Sequence, residues 1–324
     1  MPKKLLVITG PTAAGKTGLS IRLAKAFDGE VVSADSMQVY RGMDIGTAKP
    51  SLSERDGVPH HMLDVADPWE PYSVARYVEE AALCVEAVLT RGRLPILVGG
   101  TGLYIDSLLS GRCFARPPED ETLRNTLKSR YDREGGEALW RELREIDPEA
   151  AARLHPRDKK RVLRALEVFL LTGKTISAHN RETQRAPRPY ETLKIALTAQ
   201  DRADLYRRIN QRVEEMVHLG LFHEVEGLLQ AGLSPGSTAM QAIGYKEAAR
   251  ALSGAVPTDL AIAEIQQESR RYAKRQLSWF RRDPEIKWLT WAKTPDIENL
   301  LQISTQFCFA AGIMEAGDKG GKVW

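Results

Sequence analysis

The sequence predicts an α/β protein, a parallel β-sheet core flanked by helices and interrupted by an all-helical insertion. Three observations carry this. A glycine-rich turn, Gly10-Pro11-Thr12-Ala13-Ala14-Gly15-Lys16-Thr17, sits between the apolar run Leu5-Leu6-Val7-Ile8 and a helical stretch from Gly18 to Phe27. Short apolar runs recur at Glu30-Val31-Val32-Ser33-Ala34, Pro95-Ile96-Leu97-Val98 and Leu193-Lys194-Ile195-Ala196-Leu197, with helical segments among them, the alternation that builds a parallel sheet. Between the last two runs, residues 117–191 hold long, charged helical stretches and nothing strand-like.

The first turn matches a phosphate-binding loop: a Gly, four free positions, then Gly-Lys-Ser/Thr, after a strand and before a helix. Gly10 and Gly15 let the chain turn without a Cβ, and the backbone N–H groups of Thr12, Ala13, Ala14 and Gly15 can then face an anion. The helix start adds partial positive charge, Lys16 adds a full one, and the Thr17 hydroxyl can hold a magnesium ion. The second run delivers Asp35-Ser36-Met37-Gln38 to its C-terminal end, where ligands of open α/β sheets bind. A carboxylate at Asp35 can hold magnesium, cap the next helix or accept a proton.

Residues 41–71 are rich in Gly, Pro and Asp and read as a long surface excursion. His60 and His61 within it are neighbours whose side chains diverge, so hydrogen bonding fits them better than a metal. Ser73 can cap a helix with apolar positions Val74, Val78, Ala81, Val85 and Val88, ending at Gly92. The third run ends in Gly99-Gly100-Thr101-Gly102, where a phosphate-loop ATPase typically carries an acidic residue. Thr101 can donate to a phosphate oxygen or simply start a helix.

Inside the insertion, helices are expected at 123–131, 137–146 and 159–171, separated by Gly135-Gly136 and Asp147-Pro148. After the fourth strand, Arg208 and Arg212 share one helix face at i, i+4, a repulsion worth tolerating if an anion lies between them. A long helix from about Thr258 to Phe280 ends in Arg270, Arg271, Lys274, Arg275, Trp279 and Phe280, cations mixed with rings, and a last edge strand is expected at 286–289. The expected domains are residues 1–116 and 192–292 for the core, 117–191 for the insertion, and 293–324 as a tail.

The 324 residues carry a net charge of only +3, unevenly spread. Residues 151–215 hold fifteen Lys or Arg against eight Asp or Glu, and residues 270–287 hold seven against two. Two basic segments in one chain favour a polyanionic partner. No apolar run approaches the ~20 residues of a membrane helix, and the N-terminus leaves no room for a signal peptide, so a cytosolic protein is expected. Cys84, Cys113 and Cys308 are too scattered for a disulfide framework or a zinc site.

The ordered set of motifs closely resembles the tRNA dimethylallyltransferase (IPP transferase) family. It comprises the phosphate loop, Asp35-Ser36-Met37-Gln38-Val39-Tyr40, Gly46-Thr47-Ala48-Lys49-Pro50, His60-His61, Gly99-Gly100-Thr101-Gly102-Leu103-Tyr104, Ala242-Ile243-Gly244-Tyr245-Lys246-Glu247 and Tyr272-Ala273-Lys274-Arg275-Gln276, over residues 4 to about 290. The resemblance implies that the loop holds the diphosphate of dimethylallyl diphosphate. It implies transfer of the allyl group to N6 of adenosine 37, beside the anticodon of tRNAs reading codons that begin with U. By matched motif, Asp35 takes the N6 proton, Thr101 contacts the diphosphate near the breaking bond, and Lys16 and Thr17 with Mg2+ neutralise the leaving group. One of Arg208 and Arg212 joins them, and the motifs do not decide which. The anticodon stem-loop would be met by Asp35, Ser36, Met37, Gln38, Thr101, Arg124, Lys159, Lys160, Arg161, Lys274 and Arg275. A monomer is expected. The competing reading is a small-molecule kinase using Lys16 and Thr17 on ATP, which accounts for the first segment alone. An RNA-binding protein with a vestigial loop, and a transferase acting on free AMP, are further alternatives.

Overall fold

In a computed structural model, residues 3–111, 120–184 and 187–314 are described. Six strands form one parallel sheet: β1 (Lys4–Thr9), β2 (Gly29–Ser33), β3 (His60–His61), β4 (Leu94–Val98), β5 (Glu191–Ala199) and β6 (Lys287–Trp291), in the order β3-β2-β4-β1-β5-β6. Its helices are α1 (Lys16–Ala26), α2 (Leu52–Arg55), α3 (Val74–Thr90) and α4 (Gly102–Leu109), then α10 (Arg202–His218), α11 (Leu221–Gln230), α12 (Tyr245–Leu252), α13 (Thr258–Phe280) and α14 (Ile297–Ala310). The helices between them, α5 (Glu121–Glu134), α6 (Gly136–Ile146), α7 (Pro148–Ala151), α8 (Lys159–Thr172) and α9 (Ile176–Gln184), belong to a separate compact unit, Ser110–Arg188.

The sheet is covered on both faces, which is why its strands read as unbroken apolar runs. Alternate residues divide between two cores. Leu5, Val7, Val32 and Leu97 face Tyr77, Ala81 and Val85 of α3 and Tyr104 and Leu108 of α4. Leu6, Ile8, Val31 and Ile96 face Leu19 and Leu23 of α1, Ile209 of α10 and Leu300 of α14. Truncating one of these buried leucines to Ala costs ~2–5 kcal/mol. Parallel pairing brings the carboxyl ends of β1, β2 and β4 side by side, so the phosphate loop, Asp35 and Thr101 come to one rim.

The unit Ser110–Arg188 has its own core of Leu127, Leu139, Leu143, Val162, Ala165 and Leu166. Gly135 ends α5 and starts α6 with φ +85°, and Asp147 caps α7 through its side chain to the Ala150 N–H. The short helices α7 and α9 lie outside the three segments expected from sequence, being too brief to show a period.

Two expectations need correction. The stretch 41–71 is not a surface excursion, because Met43, Val58, Met62 and Ala66 are buried and His60-His61 pair with Val31 and Val32 as an edge strand. Its organiser is the buried ammonium of Lys49, which donates to the Tyr40 carbonyl at 2.7 Å and to Asp44 and Asp64 at 2.6 Å each. Polar composition concealed a segment folded around an internal ion pair. The histidines serve hydrogen bonds, His60 Nδ1 with the Val58 carbonyl at 2.8 Å and His61 Nε2 with Glu30 at 2.6 Å. The expected tail, 293–324, is likewise more than that over its described part, 293–314, since α14 buries Leu300, Ser304 and Cys308 and packs on α1. The last strand runs on to Trp291, and Cys113 lies outside the described residues.

Candidate active site

The loop after β1 is held open by its backbone. Gly10, Ala13 and Gly15 all have positive φ, +129°, +61° and +96°, and a Cβ on Gly10 would lie 2.3 Å from the Leu197 carbonyl oxygen of β5. Gly15 starts α1 without a capping side chain, so the first N–H groups of that helix are left to a ligand. Three of the loop carbonyls are tied off by side chains. Lys16 Nζ donates to Pro11 O at 2.7 Å, Arg208 Nε to Ala13 O at 3.0 Å, and Trp291 Nε1 to Ala14 O at 3.1 Å. The Arg208 guanidinium also lies over the Trp291 ring, 5.6 Å from its centroid. Thr12 gives its N–H to Gln276 Oε1 at 2.9 Å.

Beside the loop is a cleft of about 390 Å³, lined among others by Lys16, Thr17, Arg208, Arg212, Pro295 and Ile297. Lys16 keeps some exposed surface as a residue, yet its ammonium is so stripped of water that its pKa falls to about 7, the Arg212 guanidinium adding to the drop and Asp35 opposing it. Burial also lowers the pKa of both guanidiniums, with Asp35 and Glu215 opposing it at Arg212. These cations are poorly compensated in the ligand-free protein, and an anion in the cleft would relieve them. Both arginines line the cleft, but Arg208 is bonded to the Ala13 carbonyl, while Arg212 adds its charge at Lys16.

Asp35 follows β2. Its Oδ1 accepts from the N–H groups of Met37 at 2.9 Å and Gln38 at 3.3 Å, capping the turn with one oxygen. Its charge acts on Lys16, Arg212, Tyr104 and Tyr272. Thr101 precedes α4, but its hydroxyl oxygen accepts from the Ser36 N–H at 3.1 Å instead of capping its own helix, which ties the β2 and β4 ends together. Tyr272 of α13 sits against Thr101 and Gln276, its pKa raised to about 12 by burial and by Asp35. The acid missing from the β4 end has a steric cause. A Cβ would come within 2.1 Å of the Ala34 carbonyl oxygen at Gly99 and of Gln276 Nε2 at Gly100.

The remaining sequence candidates are dispersed. Gln38 is engaged in structure, its amide donating to Thr47 O and Ala48 O at 3.2 Å each. Ser36 and Met37 are half-buried, and Lys274 and Arg275 are exposed on α13. In the helical unit, Arg124 pairs with the buried Glu167 and Lys159 with Asp132, while Lys160 and Arg161 are exposed, Arg161 lying 3.6 Å from Asp158. Among the described residues no group of three His, Cys, Asp or Glu could hold a metal. Thr17, exposed and lining the cleft, is the residue whose hydroxyl could hold a divalent metal ion. Sequence reasoning missed Gln276, Trp291, Pro295 and Ile297; Gln276 stands in a motif, but nothing in its type announced a bond to the loop.

The family model described as IPP transferase matches residues 38–283, well over half of the chain, and one described as isopentenyl transferase matches residues 3–66. The chain belongs to the IPP transferase family. A tRNA dimethylallyltransferase of Geobacter sulfurreducens is 52% identical over 286 residues, 88% of this chain and 91% of the relative. Among solved structures of the family, the full-length tRNA isopentenylpyrophosphate transferase of Bacillus halodurans superposes with a TM-score of 0.72 at 42% identity, covering 96% of this chain and 97% of its own. A eukaryotic dimethylallyltransferase captured acting on tRNA gives 0.80 at 30% identity, covering 98% and 81%. The α/β core with a parallel sheet is thus the architecture of this family, and its members' names speak for prenyl transfer over the kinase reading.

Proposed function

We propose that the protein transfers the dimethylallyl group of dimethylallyl diphosphate to N6 of adenosine 37 in tRNA, releasing diphosphate. The observation that carries this reading is that the pairing of β1, β4 and β2 brings the phosphate loop, Thr101 and Asp35 to one rim of the sheet, where Lys16 and Arg212 line one cleft and Thr101 is tied to the Asp35 strand end. In the step, the bond from C1 to the diphosphate oxygen breaks and the N6–C1 bond forms. The electron pair leaves with the diphosphate, and the N6 proton passes to the Asp35 carboxylate.

The adenine amine is a poor nucleophile because its lone pair is delocalised, so taking its proton as the bond forms contributes ~10²–10⁴-fold. Oδ1 of Asp35 already serves two N–H groups, which leaves Oδ2 for that proton. The loop N–H groups, Lys16 and Arg212 meet the charge that develops on the leaving group, the kind of fixed donor worth ~10²–10³-fold apiece. Magnesium, when bound with the diphosphate, supplies further neutralisation, and Thr17 is the residue to hold it. Flipping the base out of its loop costs a few kcal/mol. Exposed Lys160, Arg161, Lys274 and Arg275 would offset that cost by gripping the anticodon stem-loop backbone. Widely spaced cysteines and a tRNA substrate support a cytosolic site of action. One chain carries both cradle and carboxylate, so a monomer suffices. Incubation with unmodified tRNA, magnesium and dimethylallyl diphosphate should yield N6-isopentenyladenosine by mass spectrometry of nucleosides, without tRNA-stimulated ATP hydrolysis. ATP turnover with no prenylated nucleoside would refute the assignment.

A further inference from the structure

A single buried side chain joins the two strand ends that the proposed chemistry uses. Gln276, 6% exposed, projects from α13 between the phosphate loop and the end of β4. Its Oε1 accepts from the Thr12 N–H at 2.9 Å and its Nε2 donates to the Gly100 carbonyl at 2.9 Å. An amide offers an acceptor and a donor in that fork without having to bind a proton. The fit is tight enough that a Cβ on Gly100 would lie 2.1 Å from Nε2. The Thr12 N–H, which a phosphate loop would otherwise turn to its anion, is thus held by the protein itself.

The same helix faces two ways. Tyr272 and Gln276, four residues apart, lie on its inner side against Thr101 and the loop, while Lys274 stands exposed on its outer side and Arg275 is exposed on the flank, its guanidinium 5.6 Å from the Tyr272 ring centroid. A displacement of α13 therefore cannot leave the loop untouched, because the Gln276 amide is bonded to the loop on one side and to the residue before Thr101 on the other. We propose that Gln276 is a positioning residue that keys the phosphate loop to the Thr101 strand end and couples diphosphate binding to RNA binding on the outer face of α13. This rests on the reading above that the loop takes a diphosphate and α13 meets tRNA.

The test uses the full chain. Affinity for inorganic diphosphate with magnesium is measured by calorimetry with and without an anticodon stem-loop RNA, and kcat and KM are measured with tRNA and dimethylallyl diphosphate. In the parent, RNA should change diphosphate affinity by ~5-fold or more, and in Gln276→Met the change should fall below about 2-fold. The kcat of that variant should drop ~10-fold or more while its affinity for RNA alone stays at the parental value, and its KM for tRNA should move by no more than the lost coupling factor, since a misplaced loop harms the transfer and not the docking. Gln276→Glu keeps the acceptor for Thr12 but sets a carboxylate against the Gly100 carbonyl, and should lose kcat likewise. A Gln276→Met protein with parental coupling and kcat overturns the proposal, as does a parent whose diphosphate affinity ignores RNA. A parent that neither prenylates tRNA nor binds diphosphate refutes the functional reading instead. If thermal melts show that neither variant folds, hydrogen exchange of residues 10–15 in the parent decides: RNA should slow it, and unchanged exchange overturns the coupling.

Discussion

Binding of a diphosphate should draw a proton onto Lys16. In the ligand-free protein its pKa is about 7, lowered by burial and by Arg212, whereas a diphosphate against the ammonium favours the charged form. If the bound value returns to the ordinary ~10.4, the uptake is about 0.9 proton at pH 8, about 0.5 at pH 7 and about 0.1 at pH 6. Because binding consumes protons, raising the pH opposes it, and log affinity should fall with a slope near −0.9 around pH 8. The folding linkage runs the other way. Between about 7 and ~10.4 the unfolded chain binds more protons than the ligand-free native state, so its stability rises with pH across that window. Calorimetric titrations in buffers of different ionisation enthalpy read the proton count directly, and subtracting Lys16→Met removes the ligand's own titration. Equal counts for parent and variant from pH 6 to 8 would refute the account of Lys16.

Asp35→Asn retains an oxygen for the Met37 and Gln38 N–H groups, so folding and tRNA affinity should persist while kcat falls by ~10²-fold or more; turnover within a few-fold of the parent would reduce Asp35 to a cap. Trp291→Phe deletes the bond to Ala14 O but keeps a ring for Arg208, and should weaken diphosphate binding by ~5-fold, about 1 kcal/mol, with tRNA affinity unchanged in a filter-binding assay. Lys274→Glu, on the exposed face of α13, should weaken tRNA binding and lower the salt slope of log affinity by ~1 or more; a slope equal to the parent's would remove Lys274 from the interface.

What the sequence made legible is what local spacing encodes. The phosphate loop, the carboxylate after the second strand and the strand–helix alternation each lie within a dozen residues of chain, and family motifs extended them to Thr101 and the basic helix. What it concealed was long-range. Arg208 reads as one of two equivalent cations until its bond to Ala13 O, 195 positions away, is seen. Gln276 and Trp291 bond to the loop across 264 and 277 positions, and no periodicity reports such distances. Lys49 shows a different limit, for its buried ion pairs fold a segment whose composition says loop. The helix beginning at Ile297 is masked in the sequence by the glycine-rich stretch that follows it.

The bond from Trp291 to Ala14, with Pro295 and Ile297 walling the cleft, also sets a schedule for biosynthesis. At ~5–20 residues per second, roughly 14–55 s separate the synthesis of Ala14 from that of Trp291, and β1 waits most of that time for β5, its neighbour in the sheet. Until those segments are made, the Ala13 and Ala14 carbonyls lack the Arg208 and Trp291 donors that tie them and β1 keeps an open edge, the situation in which holdase chaperones are useful. The loop is thus translated long before the side chain that ties it.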